Sequence, residues 1–356
     1  FQNIKLMKLF LRFILLGLCF VCLFGGLTYY WVHKPLLPSE LAGGEQNNSF
    51  ELVVESGDSA QIIGEKLESL SLKTGPVSFS FFSRVFGLHK NLKTGVYHIR
   101  ESESIASILT RISRGEGIHA SITLIEGWTF EEVMIAIQKH PHITKTFAID
   151  DISALSETLA IELSLETPSI EGWIFPDTYF FQYGASDQQL IRRAVWLQKK
   201  TLNEIWKSRG INSKLLNPTD ALNLASIIEK ETQHPPDREL VSGVFHNRLA
   251  MKMRLQSDPT IIYGLGRKFD GNLKKRHLKQ DSSYNSYLRV GLPPTPISNP
   301  GKDALIASVH PAVTDALYFV AKGDGSSYFS KTYREHIKAV NYYQKGIGRP
   351  PKEKIR

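Results

Sequence analysis

Cysteine is almost missing from this chain. Of 356 residues only Cys19 and Cys22 carry a thiol, and both lie inside the one long apolar run. Everything beyond that run therefore folds without disulfides. The C-x-x-C spacing within a membrane-length helix reads as lipid-facing filler, not as a metal or redox motif. Histidines such as His140, His142, His234 and His310 are scattered without ligand spacing, so no metal and no cofactor is expected. No basic stripe with interleaved aromatics is present, which argues against nucleic acid as a partner. No A-x-A-like cleavage site follows the apolar run.

What is present is a long, basic, moderately apolar chain. The length suggests two domains with accessories. An apolar fraction of 42% is enough for sizeable cores. A net charge of +8 suits acidic partners, such as anionic head groups or an anionic wall polymer. Residues 13–32, FILLGLCFVCLFGGLTYYWV, carry no charge and have the length that crosses a bilayer. Lys5, Lys8 and Arg12 precede the run, and Tyr29, Tyr30 and Trp31 form an aromatic belt at its far end. The positive-inside rule puts the N-terminus in the cytoplasm and everything after residue 35 outside. An uncleaved anchor is expected, with a signal peptide as the alternative. Met7 is a candidate initiator, giving MKLFLRF.

Residues 36–50 are rich in Pro, Gly, Ser and Asn and read as a linker; the sequon Asn47-Asn48-Ser49 within them reads as chance. A weak repeat follows, beginning at Phe50, Gly95 and Ser121. Each copy has an alternating strand, a short acidic or Gly turn and an amphipathic helix. Asp58 with Gln61, and Thr129 with Glu132, have the spacing of an N-cap and its third helical residue. The first copy resembles part of a LysM-like module, a binder of N-acetylglucosamine-rich glycans; an ordinary β-α packing unit fits the pattern equally. Residues 118–345 mix long helical stretches, 186–209 and 219–233, with short strands such as LYFVAK at 317–322. Pro- and Gly-rich loops connect them, and such loops tend to carry binding residues.

The stretch IIEKETQHPP holds two glutamates. On a helix over 219–233, with Ile228 at zero, Ala221, Leu222, Leu224, Ala225 and Ile227 cover an arc from about −100° to +120°. Asn223, Ser226 and Lys230 fall on the opposite, polar face. Glu231 falls at about −60°, inside the arc, and Glu229 at about +100°, at its edge. The two carboxylates point about 160° apart and so do not form a close pair on one substrate. Glu231 is the deeper by this reading. A carboxyl against aliphatic neighbours has a raised pKa and is suited to act as a general acid. The alternatives are a Glu whose head reaches water, or one paired with Arg238.

Six segments taken together resemble one family. EGWIFPDTY, LASIIEKETQ, VFHNRL, MRLQSDPTIIYGLG, YNSYLRVGLPPTPISNPG and LYFVAKGDG follow one another in the order of the MltG (YceG-like) endolytic murein transglycosylases. The resemblance spans nearly the whole chain. IIEKET is also similar to the goose-type lysozyme helix, in which a Glu followed by Ser or Thr is the catalytic acid. That pattern falls on Glu231 and Thr232.

The resemblance implies an α+β fold. A cytoplasmic tip and transmembrane helix (1–35) and the linker (36–50) lead to a small LysM-like domain (51–117). A larger mixed α/β catalytic domain (118–345) and a basic tail (346–356) follow. It implies cleavage of the MurNAc-GlcNAc β-1,4 bond within peptidoglycan glycan strands, with peptidoglycan synthases as partners. It implies a single-pass cell (inner) membrane protein whose catalytic part faces the periplasm or the cell exterior.

Glu231 is then the catalytic acid. Gln256, Ser257, Asp258, Tyr263, Asn285 and Tyr287 are candidate substrate contacts. Among them Asp258 reads equally as an N-cap before Pro259, and Tyr263 as core. Arg248 is a candidate to orient a carboxylate as a bidentate pair. Pro293, Pro294 and Pro296 would stiffen a groove wall. The family histidine after the LYFVA strand is replaced by Ser327. Two other readings compete: a non-catalytic, membrane-anchored glycan-binding scaffold, and a hydrolase leaving reducing ends.

Overall fold

The structure is a computed structural model that describes residues 2–35 and 49–351, less 56, 71, 73 and 101. The expected linker therefore lies outside the described residues, apart from Ser49 and Phe50. So does the sequon apart from Ser49, and so does the end of the basic tail. The chain divides into two compact units. One comprises Phe1–Ala120 and Phe180–Ala185, the other Ser121–Tyr179 and Ser186–Arg356.

The first unit begins with α1 (Gln2–His33). Its Ile14–His33 part is long and apolar enough to cross a membrane, with a mean hydropathy of 1.8. The remainder is β1 (Ser49–Val54), α2 (Ala60–Ser69), α3 (Pro76–Val85), β2 (Gly95–Arg100) and α4 (Ile105–Arg114). β1 and β2 pair antiparallel from Ser49 opposite Arg100 to Val54 opposite Gly95. Their inward residues, Leu52, Val54, Tyr97 and Ile99, pack on Ile63 and Leu67 of α2, Phe79 of α3 and Ile108, Leu109 and Ile112 of α4. Each such aliphatic side chain contributes about 1.5–3 kcal/mol by leaving water.

The second unit contains α5 (Phe130–Lys139), α6 (Ile152–Glu162), α7 (Asp187–Lys207), α8 (Pro218–Glu231), α9 (Arg238–Ala250), α10 (Asp258–Leu265), α11 (Lys275–Lys279), α12 (Lys302–Val309), the hairpin strands β5 (Tyr318–Ala321) and β6 (Ser327–Ser330), and α13 (Tyr333–Lys345). β3 (His119–Thr123) and β4 (Thr178–Gln182) contain the unit boundaries. α8 packs against α7, α9, α10 and α12. The architecture is mixed α/β, as the sequence implies.

The strand-turn-helix repeat is real. β1 with α2, β2 with α4, and β3 with α5 each join a short strand to a ten-residue helix. Ser59, Ser104 and Thr129 cap these helices, each accepting the N–H three residues on. At Thr129 the reciprocal bond to Glu132 completes the box that the sequence predicts. In the first copy the cap is Ser59, not Asp58. Asp58 instead accepts from Glu55 N and Lys66 Nζ; a short carboxylate beside a lysine is drawn to the charge.

Candidate active site around Glu231

α8 is started by Asn217, whose side chain accepts the N–H of Asp220, and by Pro218 at the first helical position. Residues 221–229 are all buried. At Asn223 and Ser226 the face read as polar is therefore not a solvent face, while Lys230 is exposed. The Pro-rich loop covers it: Asn223 Nδ2 donates to Pro293 O (2.6 Å), Ile297 N to Ser226 Oγ (3.0 Å) and Ser298 Oγ to Ser226 O (3.1 Å). The prolines thus back the helix, and Asn223 and Ser226 are the bolts.

The two glutamates at the end of α8 lie in different surroundings. Taken as a whole residue Glu229 is the more covered, at 8% exposed, although the Glu231 carboxyl itself is the more desolvated. Its carboxylate faces Arg238 at 3.3 Å and accepts the N–H of Gly301, at the start of α12, at 2.9 Å. Burial nevertheless raises its pKa, against the lowering by Gly301 and Arg238. The Arg238 pairing weighed for Glu231 belongs to Glu229. Helical phase on α8 alone misses α9 and α12, which cover Glu229, yet the carboxyl of Glu231 is the more strongly desolvated of the two, as its place in the apolar arc implies.

Glu231, the last helical residue, is half-buried as a whole residue. Its carboxyl is still tightly surrounded, and this desolvation raises its pKa to about 7, assisted by the charge of Asp258. Ser257 Oγ donates to its Oε2 at 2.8 Å, and this bond and the nearby Arg248 charge pull the other way. A desolvated acid that is half-protonated near neutrality can donate a proton and take one back.

Ser257 is placed by a strained turn. Gln256 before it has φ +51°, a left-handed conformation that a non-glycine residue adopts at a cost. Gln256 N donates to Ser286 O and Ser257 N to Ser286 Oγ, which fixes the turn. Ser257 is the N-cap of α10, so Asp258 is that helix's first residue and not its cap. Yet the Ser257 hydroxyl makes no cap bond and turns to Glu231. Asp258 is exposed and accepts from Tyr287 Oη at 2.7 Å.

The other candidates are distributed around this centre. Gln256 is exposed. Asn285 is 1% exposed, and its amide bonds Leu278 O, Gln280 O and the N–H of Tyr287; it is placed as a loop staple. Among the described residues Arg248 forms no bidentate carboxylate pair. Its Nε and Nη1 donate to Leu317 O and Leu255 O, and its guanidinium sits 5.3 Å from the centre of the Tyr318 ring. Ser327 opens β6, and its N–H donates to Asp237 Oδ2 at 2.6 Å.

Tyr263 leads to a residue that sequence reasoning passed over. Its hydroxyl donates to Glu171 Oε2 at 3.2 Å, and its ring meets that of Tyr284 edge-on at 4.9 Å. Glu171 is buried and also accepts the N–H of Phe130, at the start of α5. Burial pushes its pKa up to about 8. The overlooked signal was the tripeptide EGW, present twice, at 126–128 and 171–173. Both glycines have positive φ, +78° and +83°. A Cβ on Gly172 would lie 2.4 Å from Pro296 Cβ, so only glycine fits. Asn299 ties the two turns together, accepting from Ile174 N and donating to Trp128 O.

Comparison with known proteins gives consistent relatives. The sequence profile of the YceG-like family matches residues 52–342. The chain is 31% identical over 314 residues to the endolytic murein transglycosylase of Bacillus subtilis, covering 84% of this chain and 86% of that one. It is 28% identical over 348 residues to the endolytic murein transglycosylase of Streptococcus pneumoniae, covering 89% of this chain and 62% of that longer protein. The crystal structure of a yceG-like protein from Listeria monocytogenes superposes with a TM-score of 0.53 at 28% identity, over 82% of this chain and 99% of that one.

Proposed function

The chain belongs to the YceG-like family, and from that premise we propose that it is an endolytic murein transglycosylase with Glu231 as its acid and base. The observation that carries the residue assignment is the desolvated carboxyl of Glu231, held by Ser257 and half-protonated near pH 7. Neutral Glu231 gives its proton to the oxygen linking C1 of MurNAc to C4 of GlcNAc, and the C1–O bond breaks. The resulting carboxylate takes the proton of the same MurNAc C6 hydroxyl, and that oxygen closes onto C1. The products are a GlcNAc 4-hydroxyl end and a 1,6-anhydro-MurNAc end, with Glu231 protonated again. Most glycosidases need a second carboxyl to activate water or attack C1. Here the nucleophile is part of the substrate, so much of the entropic cost of bringing it to C1 is avoided.

The neighbours have distinct parts in this reading. Ser257 steadies the carboxylate between the two proton transfers, and Arg248 stabilises it by charge. Gln256, Asp258 and Tyr287 are exposed or half-buried and offer polar groups to sugar hydroxyls and acetamido groups. Tyr263 and Asn285 shape the wall from behind. The β1-α2-α3-β2 unit would be the LysM-like glycan-binding domain (51–117), residues 118–345 the catalytic domain, and residues 346–356 a basic tail. α1 would anchor the chain in the cell membrane, with both domains outside and nascent strands, with their synthases, in reach. Cutting there would end glycan strand elongation.

The test is to digest purified glycan strands with the full chain and identify the new ends by mass spectrometry. Internal cuts leaving 1,6-anhydro ends support the reading. Reducing ends would make the protein a hydrolase. Strands that are bound and remain whole would make it a scaffold.

A further inference from the structure

α3 leaves an unpartnered apolar stripe beside the membrane-length helix. Phe79 and Phe82 point into the core of the first unit. Val77, Phe81 and Val85 do not; they are 78%, 48% and 61% exposed. At four-residue spacing they share one face about 80° wide. Large apolar side chains aligned in this way on an exposed helix mark an interaction surface.

The position of α3 along α1 indicates the occupant. Phe24, Leu27, Thr28 and Trp31 of α1 and Val77, Ser78, Phe81 and Phe82 of α3 line one groove of about 450 Å³. The Phe82 and Trp31 rings stack at 6.4 Å. From Phe24 to Trp31 is about 10 Å of helix, so α3 lies beside the outer two turns of α1. The Ile14–His33 span is 20 residues, about 30 Å, which matches the hydrocarbon thickness. Val32, near its end, is already part of the unit's core, and Pro35 forms a bridge with Ser104. These contacts tie the end of the span to the folded unit, so α3 stays at this depth when α1 crosses a bilayer.

Charge agrees. Residues 69–100 contain five Lys or Arg and no acidic residue. Arg84, His89 and Lys90 are exposed around the end of α3, and Lys34 follows α1. An apolar face bordered by basic side chains is the make-up of a helix lying in an anionic lipid interface.

We propose that α3 is an interfacial helix whose Val77, Phe81 and Val85 insert among the outer-leaflet lipids next to α1, seating the first unit on the membrane. The proposal rests on α1 being a membrane anchor. It is tested with the full chain carrying Cys19→Ser and Cys22→Ser, labelled with an environment-sensitive fluorophore at Phe81→Cys, Val85→Cys or the exposed control Leu216→Cys. Each is reconstituted into vesicles of phosphatidylcholine and phosphatidylglycerol, with or without lipids bearing a nitroxide on the acyl chain. The expected result is blue-shifted emission at 81 and 85 that the nitroxide lipids quench, and neither effect at 216. Adding Phe81→Asp should abolish quenching at 85 while the chain still floats with the vesicles. If the chain floats but 81 and 85 report water, the proposal fails and the anchor stands. If they are shielded from water yet unquenched, another protein surface covers the stripe and the lipid assignment is overturned. If the chain does not float at all, the anchor reading falls and takes the proposal with it.

Discussion

Ser257 Oγ donates to Glu231 Oε2 at 2.8 Å from a position where a serine ordinarily caps its own helix. The left-handed Gln256 turns the chain so that the hydroxyl meets the end of α8 rather than the start of α10. A cap is given up and a carboxyl is tuned. Strain and a diverted cap at one point are what a functional site exhibits.

Glu231 must start protonated, so activity should fall as pH rises through about 7. Ser257 bonds the charged form and lowers that value. Ser257→Ala should therefore move the falling limb of kcat/KM to higher pH, by up to about one unit. Asp258 raises the value, so Asp258→Asn should move the limb to lower pH. Since the Ser257 hydroxyl caps nothing, Ser257→Ala should leave Tm nearly unchanged. pH-rate profiles and thermal melts check these shifts.

Glu229 should behave differently. It holds Arg238 and the N–H of Gly301, the N-cap of α12, together. Glu229→Ala leaves a buried guanidinium with, among the described residues, only the exposed partner Asp303, and should cost about 3–5 kcal/mol of stability. The protein that remains folded should still cut glycan. Denaturant unfolding, with activity normalised to folded protein, separates the two effects.

Glu171 makes stability depend on pH. Its pKa is raised from 4.5 to about 8 by burial, so the folded state holds a proton that the unfolded state releases. That stabilisation is complete below pH 4.5 and is lost as pH rises through about 8. Relative to Glu171→Gln, the natural chain should lose about 2–4 kcal/mol between those limits. Unfolding curves at pH 5, 7 and 9 for both proteins measure the difference; parallel curves would remove Glu171 as the source.

What the sequence revealed was local. The repeated strand-turn-helix copies are legible because alternation, a capping residue and helical periodicity all lie within about 20 residues. The apolar arc that singled out Glu231 was also local, since it lies within α8 itself. The rest depended on distant chain. Asn223 and Ser226 read only as a polar face because the loop that covers them is about 70 residues away. Glu229 looked marginal because Arg238 and Gly301 bury it from other helices. The diverted Ser257 depends on one backbone angle that composition does not encode, since Gln is not a residue expected at positive φ.

The central claim is that one carboxyl, Glu231, both gives and takes the proton. The most direct measurement compares the natural chain with Glu231→Gln on purified peptidoglycan, by mass spectrometry of the ends formed. Glutamine keeps the size of the side chain and can still accept the Ser257 bond, but it cannot transfer the proton. New 1,6-anhydro ends from the natural chain, with at least a hundredfold fewer from the folded variant, is the predicted result, in line with the 10²–10⁴-fold worth of general acid-base catalysis. Undiminished anhydro ends from Glu231→Gln would contradict the account and move the search to another acid.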